Sequence, residues 1–445
     1  MKTKIFFIVT FFYATTVFCQ TESATYDKTF EDPKIDGSTF TKLKVDVGAD
    51  FAMQFQSLKH HADSLLIPLG GNINLPSANL NVNAYLAPGI KVNLVTNLAS
   101  RHHNDTWVKG GYLLIDELPF LNSSVADNIM KNFSLKVGVD DINYGDAHFY
   151  RSDNAYVINN PFIGNFILDG YTTAPFAELY FRRSNIIAMA AVTTGMLNPA
   201  LGGYNSTTKA WNPYNAGKEL AYYFKLGVDK KINEKIRIRP TVSAFLDAST
   251  HGSTLYAGDR AGSRYYLVMN KKSLGTATAY DITSNVTNGY FGPGSFTEDK
   301  SVMGNLYAWI YNFEVFGAYE IANGKTGFQY TKPDGVIVPK KAYSFNSIIV
   351  QALYYFGKTK QFDIGARYNV VTKAATDEVK SGNTLIYPAS DKMSTDRIQI
   401  AGGWKMTKNI YTKLEYVKQN YHNFSTYGLG AAGFEGLMVE AAISF

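Results

Sequence analysis

The chain has 445 residues, 46% of them hydrophobic and 14% aromatic, with a single Cys and a net charge of +6. A positive balance this mild, with no basic block, gives nucleic-acid binding no footing. A mean hydropathy of −0.14, and no apolar run near the ~20 residues a membrane helix needs, exclude a helical membrane protein.

The first residues read as a secretory signal: Lys2 and Lys4 supply the positive start, and 5–18 is uncharged and largely apolar. Cleavage after Cys19 places Val17 at −3, starts the mature chain at Gln20 and removes the only thiol. Bulky Phe18 argues against Cys19 as a lipid acceptor. A chain without cysteine forms no disulfide, which suits passage through the periplasm.

From residue 43 the pattern turns to strict alternation. Leu43, Val45, Val47, Ala49, Phe51, Met53 and Phe55 share one face; Lys44, Asp46, Asp50, Gln54 and Gln56 share the other. Leu80, Val82, Ala84 and Leu86 lead into a minimal turn at Pro88-Gly89, and Ile90, Val92 and Leu94 lead out. Further strands are expected near 107–118 and 133–139. The same short-turn grammar recurs at Asn185, at 231–234, at Asn323-Gly324, at 357–361 and at 407–409, and a short strand is expected at 327–331. Long segments rich in Gly, Asn, Ser and Thr separate these hairpins: 143–171, 198–218, 250–303, 331–341, 372–395 and 419–433. The chain closes on Leu437, Val439, Ala441, Ile443 and Phe445, alternating with small or polar residues that include Glu440.

Strands apolar on one face and polar on the other, joined alternately by short turns and long loops, predict an all-β fold. The expectation is a transmembrane antiparallel β-barrel whose apolar face meets lipid and whose polar face meets a wet lumen. Both termini on the periplasmic side require an even strand count. The tally is about 16, with 14 and 18 the neighbouring alternatives; at that size a lumen becomes an aqueous channel. The domain division is then 1–19 signal peptide, 20–40 periplasmic leader and 41–445 barrel, with the leader too short to plug a wide lumen.

The terminal Val439-Glu440-Ala441-Ala442-Ile443-Ser444-Phe445 resembles the C-terminal signature of bacterial outer-membrane proteins. That resemblance implies localisation in the outer membrane of a Gram-negative cell, with Phe445 part of a signal to the outer-membrane insertion machinery. Strands such as Gly48-Ala49-Asp50-Phe51-Ala52-Met53-Gln54-Phe55, and Leu135-Lys136-Val137-Gly138 before a long loop, resemble the phosphate-selective and related sixteen-stranded porins. The resemblance implies a homotrimer with a loop folded inward at a constriction. A single arginine ladder, which phosphate selectivity requires, is not visible.

Strand parity assigns Asp50, Gln54, Glu178, Arg182, Lys225, Arg237, Arg239, Glu314, Arg367, Lys413, Glu415 and Glu440 to the lumen. Charged rings of one sign select ions of the other; here the signs mix, as in a wetted wall with ion pairs across it. Loop 143–171 is the constriction candidate through His148, Tyr150, Arg151, Asp153 and Tyr156. Arg151 and Asp153 would set a transverse field, and the tyrosines would stack on a solute; the alternative is an outward-facing loop. His60-His61 and His102-His103 fall in the first two external loops, yet no carboxylate or thiol completes a tetrahedral metal set. No cofactor is implied.

There is no Gly-x-Ser-x-Gly elbow, no His-Glu-x-x-His and no phosphate loop, so no enzyme class is indicated. The expected function is a porin passing small hydrophilic solutes or ions by passive diffusion. The rival is a barrel occluded by its loops, acting as surface scaffold, receptor or secretion accessory.

Overall fold

The computed structural model describes residues 30–445 except 75, 100–106, 153–156, 169, 199–201, 206–209, 214–219, 249–251, 258–262, 273–288, 328 and 426–428. The proposed signal peptide (1–19), the first part of the leader (20–29), Asp153, Tyr156, His102 and His103 therefore lie outside the described residues.

Sixteen antiparallel strands form one closed sheet. In chain order they are β1 (Lys44–His61), β2 (Ser77–Ala87), β3 (Ile90–Ala99), β4 (Trp107–Ile115), β5 (Phe133–Asp141), β6 (Thr173–Arg183), β7 (Ile186–Thr193) and β8 (Ala221–Val228). β9 (Ile236–Asp247), β10 (Glu298–Ile310), β11 (Phe313–Thr326), β12 (Lys341–Phe356), β13 (Phe362–Lys373), β14 (Met393–Thr407), β15 (Ile410–His422) and β16 (Gly433–Ser444) follow. Each pairs with its chain neighbours, and β1 closes the cylinder on β16 in the register Asp50 to Ser444 through His61 to Gly433. Phe445 ends the seam by exchanging backbone hydrogen bonds with Ala49, 3.0 and 2.8 Å long. Closure leaves no sheet edge unpaired, the condition for strands in hydrocarbon.

Side-chain parity explains why this sheet suits a bilayer. Val302, Leu306, Val350, Ile400, Leu414 and Val439 point outward and are exposed, a continuous apolar belt that water would penalise and lipid accepts. Near the short turns, Phe313 packs on Tyr354 with ring centroids 4.8 Å apart, Phe356 on Phe362 at 5.5 Å and Phe362 on Trp404 at 6.0 Å. Aromatic rings concentrate at that depth because their apolar bodies and polar edges match the headgroup region.

The expected hairpins at Pro88-Gly89, Asn185, 357–361 and 407–409 are found at one end of the barrel. Gly89 has φ +67°, and a Cβ there would come within 2.8 Å of the Glu117 backbone, so the turn admits only glycine without strain. One hairpin needs correction. Asn323-Gly324, expected to be a turn, lies inside β11, and 327–331 is no barrel strand. The turn falls instead at Tyr311-Asn312, preceded by β10, whose first part, 298–303, the expectation of a loop over 250–303 takes in. β10 escaped notice because its lumen face carries Met303, Tyr307 and Trp309, all buried. Apolar residues on both faces erase the alternation. The omission and the extra strand cancel, so the count of 16 stands. The connection 116–132 carries a short helix, Ser124–Met130, capped by Ser123.

Candidate functional site

The lumen is not an open tube. Loop 142–172 folds inward after β5, and its Tyr144, Tyr150, Phe162, Ile163, Phe166, Ile167 and Leu168 are buried inside the cylinder. Part of the loop after β9 joins it: Leu255, Tyr256, Tyr265 and Val268 are equally buried. These rings would have no reason to enter a wetted wall. They enter because the wall offers matched acceptors. Tyr150 donates to Glu314 Oε1 at 2.9 Å and Tyr355 to Oε2 at 2.9 Å. Tyr144 and Tyr256 donate to Glu320 Oε1 at 3.0 and 2.5 Å. Tyr265 donates to Glu415 Oε1 at 2.6 Å, while Ile163 N donates to Glu415 Oε2 at 2.7 Å. A buried carboxylate keeps its charge only when its lone pairs are answered in this way.

The wall cations do the converse and hold loop carbonyls. Arg367 donates to Gly164 O at 3.0 Å and Asn160 Oδ1 at 2.9 Å while lying over Phe162 and Phe166 at 4.1 and 4.3 Å. Arg397 donates to Gly289 O at 2.8 Å and to Asn165 O. Lys413 donates to Val157 O, Asn160 O and Glu440 Oε1 at 2.7, 2.8 and 2.7 Å. Glu440 also receives Gln54 at 2.8 Å and pairs with Arg264 of the infolded second loop. Thus Gln54, Glu314, Arg367, Lys413, Glu415 and Glu440 point inward, where most of them grip protein rather than water. Asp50 is also buried, bound by Ser444 Oγ at 2.6 Å and Asn81 Nδ2 at 2.9 Å.

At the first turn of loop 142–172 a second network forms. Lys225 donates to Asp146 Oδ1 at 2.9 Å, Gly145 O at 2.7 Å and Asn143 Oδ1. Arg239 donates to Asp146 Oδ2 at 2.9 Å and Asp229 Oδ2 at 3.1 Å, and Arg237 clasps Asp229 at 2.8 and 2.7 Å. Burial opposes ionisation of Asp146, but the Lys225 and Arg239 charges outweigh it and hold its carboxyl below the ordinary range. Glu178 receives Asn143 N at 3.0 Å, Tyr180 at 2.6 Å and Tyr223 at 2.7 Å.

Of the expected constriction residues, Tyr150 is fully buried with its ring 4.4 Å from that of Phe316, so no solute can stack on it. Arg151 lies 3.9 Å over the Tyr171 ring and donates to Tyr290 Oη at 3.3 Å. His148 packs against Phe149, the rings tilted by 35° with centroids 3.9 Å apart; burial first, then the Lys225 charge, lowers its pKa to about 4. His60 is engaged locally, donating to Ile67 O at 2.6 Å and accepting from Met269 N at 3.0 Å. Among the described residues no group of three or more His, Cys, Asp or Glu is arranged to hold a metal.

Among the described residues, the loops leave one side of the lumen unfilled. A cleft of about 730 Å³ runs along the β2–β5 wall, lined by Asn81, Asn83, Asn93, Lys91, Lys109 and Lys136, with Asp140, Asp141 and Arg182 facing in. Lys405 and Tyr411 mark its end near the short turns. Asn93 donates to Asn83 at 3.0 Å, which leaves amide edges turned to the cleft.

The leader is the feature sequence reasoning missed. Expected as a periplasmic leader too short to plug a wide lumen, it places Phe30, Glu31 and Asp32 along this cleft. Glu31 Oε1 receives Arg239 Nη2 at 2.7 Å, Lys225 Nζ at 3.4 Å and Asn143 Nδ2 at 3.4 Å. The described leader residues thus form part of the wall of the cleft beside the infolded loops. An aromatic-acid-acid run, Phe30-Glu31-Asp32, was the available signal.

No family model matches the sequence, and no curated protein matches it. Among solved structures the chain is similar to the outer membrane channel DcaP of Acinetobacter baumannii, at 11% identity and a TM-score of 0.48, covering 91% of this chain and 98% of that one. It is similar to the anion-selective porin from Comamonas acidovorans at 9% identity and 0.48, covering 91% and 100%. OprB of Pseudomonas putida follows at 9% and 0.47, covering 91% and 94%. The assignment as a membrane barrel rests on the closed sheet itself, and these likenesses say nothing of what the lumen admits.

Proposed function

We propose that this barrel is a narrow diffusion channel of the outer membrane, passing small hydrophilic solutes or ions without chemistry. The observation that carries the reading is the polar cleft of about 730 Å³ along β2–β5. Amide and ammonium groups there replace part of a solute's hydration shell, and mixed charge favours zwitterions and neutral polar molecules over one sign of ion. Selectivity comes from the cleft side chains, with loop 142–172 setting its far wall. The lipid-facing belt supports residence in a bilayer; homotrimer formation, insertion through Phe445 and removal of residues 1–19 complete the proposal.

One observation favours the rival reading of an occluded scaffold: the packed rings of the infolded loops, which close most of the cross-section. Purified protein in planar bilayers separates the two. A channel gives ohmic steps, and Asn83→Trp with Asn93→Trp, which narrow the cleft, removes most of the current. Unchanged current in that variant removes the cleft as the route. No current from any form, and no swelling of liposomes in small sugars, leaves the scaffold.

A further inference from the structure

The leader enters the cleft from the end that carries the short turns. Lys34 is its anchor at the mouth, donating to the carbonyl oxygens of Met130, Phe133 and Asp116 at 2.5, 2.7 and 3.2 Å. Beside it, Ile35 N donates to Asp116 Oδ2 at 2.8 Å, and Gly37 N to Glu117 Oε1 at 3.0 Å. Further in, Asp32 accepts from Tyr112 Oη at 2.6 Å and lies 3.6 Å from Lys91 Nζ, both cleft residues. Beyond Asp32, Phe30 lies under the Arg239 guanidinium at 4.2 Å, edge-on to Phe149 and Tyr307 at 5.4 and 5.1 Å.

The charges around Glu31 make this more than packing. Among the described residues, Lys225, Arg237 and Arg239 meet the carboxylates of Asp146, Asp229 and Glu31. Asp146 sits on the first turn of the infolded loop and Asp229 follows β8, so both belong to the body of the barrel. Glu31 alone arrives on the leader. Withdraw it, and Lys225 and Arg239 lose one of the two carboxylates they share in a nearly dry site, a loss that is strongly unfavourable until an anion replaces it. A carboxylate is the natural replacement, since guanidinium and ammonium donors already converge on one.

We propose that Phe30–Asp32 form a displaceable gate in the cleft, with Glu31 a tethered ligand in a carboxylate site made by Lys225, Arg239 and Asn143. A small free carboxylate competes with Glu31, releases the leader and opens the cleft. The proposal rests on the channel reading above for its consequence, but the seat of the leader is measurable without it.

The experiment uses the full chain as isolated from membranes, wild type against Glu31→Ala, with Glu31→Gln as the shape-preserving variant should the alanine form assemble poorly. Two readouts are taken. One is conductance in planar bilayers with acetate replacing chloride at matched ionic strength and neutral pH. The other is trypsin cleavage after Lys34 in detergent, read by mass. Expected are a several-fold higher mean conductance for Glu31→Ala, an acetate-dependent rise in the wild type that the variant lacks, and faster cleavage after Lys34 in the variant. If the wild type conducts and neither the substitution nor acetate changes conductance or cleavage, the gate is overturned while the channel stands. If Glu31→Ala conducts more but acetate leaves the wild type unchanged, the carboxylate site is overturned. If cleavage accelerates in the variant and nothing conducts in any form, the seat of the leader is confirmed and the channel reading fails.

Discussion

The two sides of this barrel solve the same problem differently. Strands β2–β5 are 9 to 11 residues long and present Asn and Lys to an unfilled cleft. Strands β10–β15 are 12 to 16 residues long, and many of their inward carboxylates, amides and arginines are held by the infolded loops, the rest by neighbouring wall residues. Outward, the two sides are alike. A barrel wall therefore fixes where its lumen is, while the segments that return into the lumen decide which part of it is passage and which is core. On the filled side polar wall residues behave as a protein interior, where each charge needs a partner; on the cleft side they behave as a solvated surface.

That contrast can be broken most severely on the filled side. Lys413→Met takes one of two cationic partners from Glu440, the other being Arg264, and frees the Val157 and Asn160 carbonyls; hydrogen bonds to charged groups contribute about 1.5–3 kcal/mol each. The expected outcome is a clear fall in the temperature at which the folded band converts on unheated gels. An equal mobility shift in the wild type and the variant across all temperatures would mean this side is wetter than its geometry implies.

Next comes the face that both sides share. Val350, exposed midway along β12, faces lipid, so Val350→Arg should cost about 2–4 kcal/mol of folding into vesicles. Urea titration in lipid measures it; a neutral effect there would argue that this strand faces protein.

Acidification tests the boundary between the two sides, where His148 faces Lys225, Asp141, Asp146 and Glu31. Its pKa of about 4 lies below the ordinary 6.5, so the neutral ring's contribution is complete above 6.5 and is lost as pH falls toward 4. Burial raises the Glu31 carboxyl, but Lys225 and Arg239 hold it down to about 2 from an ordinary 4.5, so its own contribution is complete above 4.5 and is lost as pH falls from there toward 2. Between pH 6.5 and 4 the wild type should lose thermal stability more steeply than His148→Asn. Parallel profiles would remove His148 from the account.

The smallest effect is expected in the cleft. Lys91 and Asp32 are partly exposed and 3.6 Å apart, so Lys91→Met should change stability by less than about 1 kcal/mol while altering ion preference in a salt gradient. A loss comparable with that of Lys413→Met would erase the distinction between the two sides.

Sequence periodicity by itself determined the wall: β1, β2, β3, β13 and β16 are legible because lipid tolerates only apolar side chains and the other face alternates away from it. The inward placement of residues such as Glu178, Lys225, Arg239 and Glu440 follows from the same period of two. Where the lumen is packed, the rule loses its contrast, and β10 vanished among Met303, Tyr307 and Trp309 for that reason. Only the tertiary structure decided what fills the cylinder. Tyr150, Tyr265 and Glu31 lie in segments with no periodicity, and each finds its partner far away in sequence, Glu31 with Lys225 and Arg239, Tyr150 with Glu314, Tyr265 with Glu415. Such pairings depend on which loop returns to which depth of the lumen, a geometric fact set by closure of the whole sheet and written in no local stretch of chain.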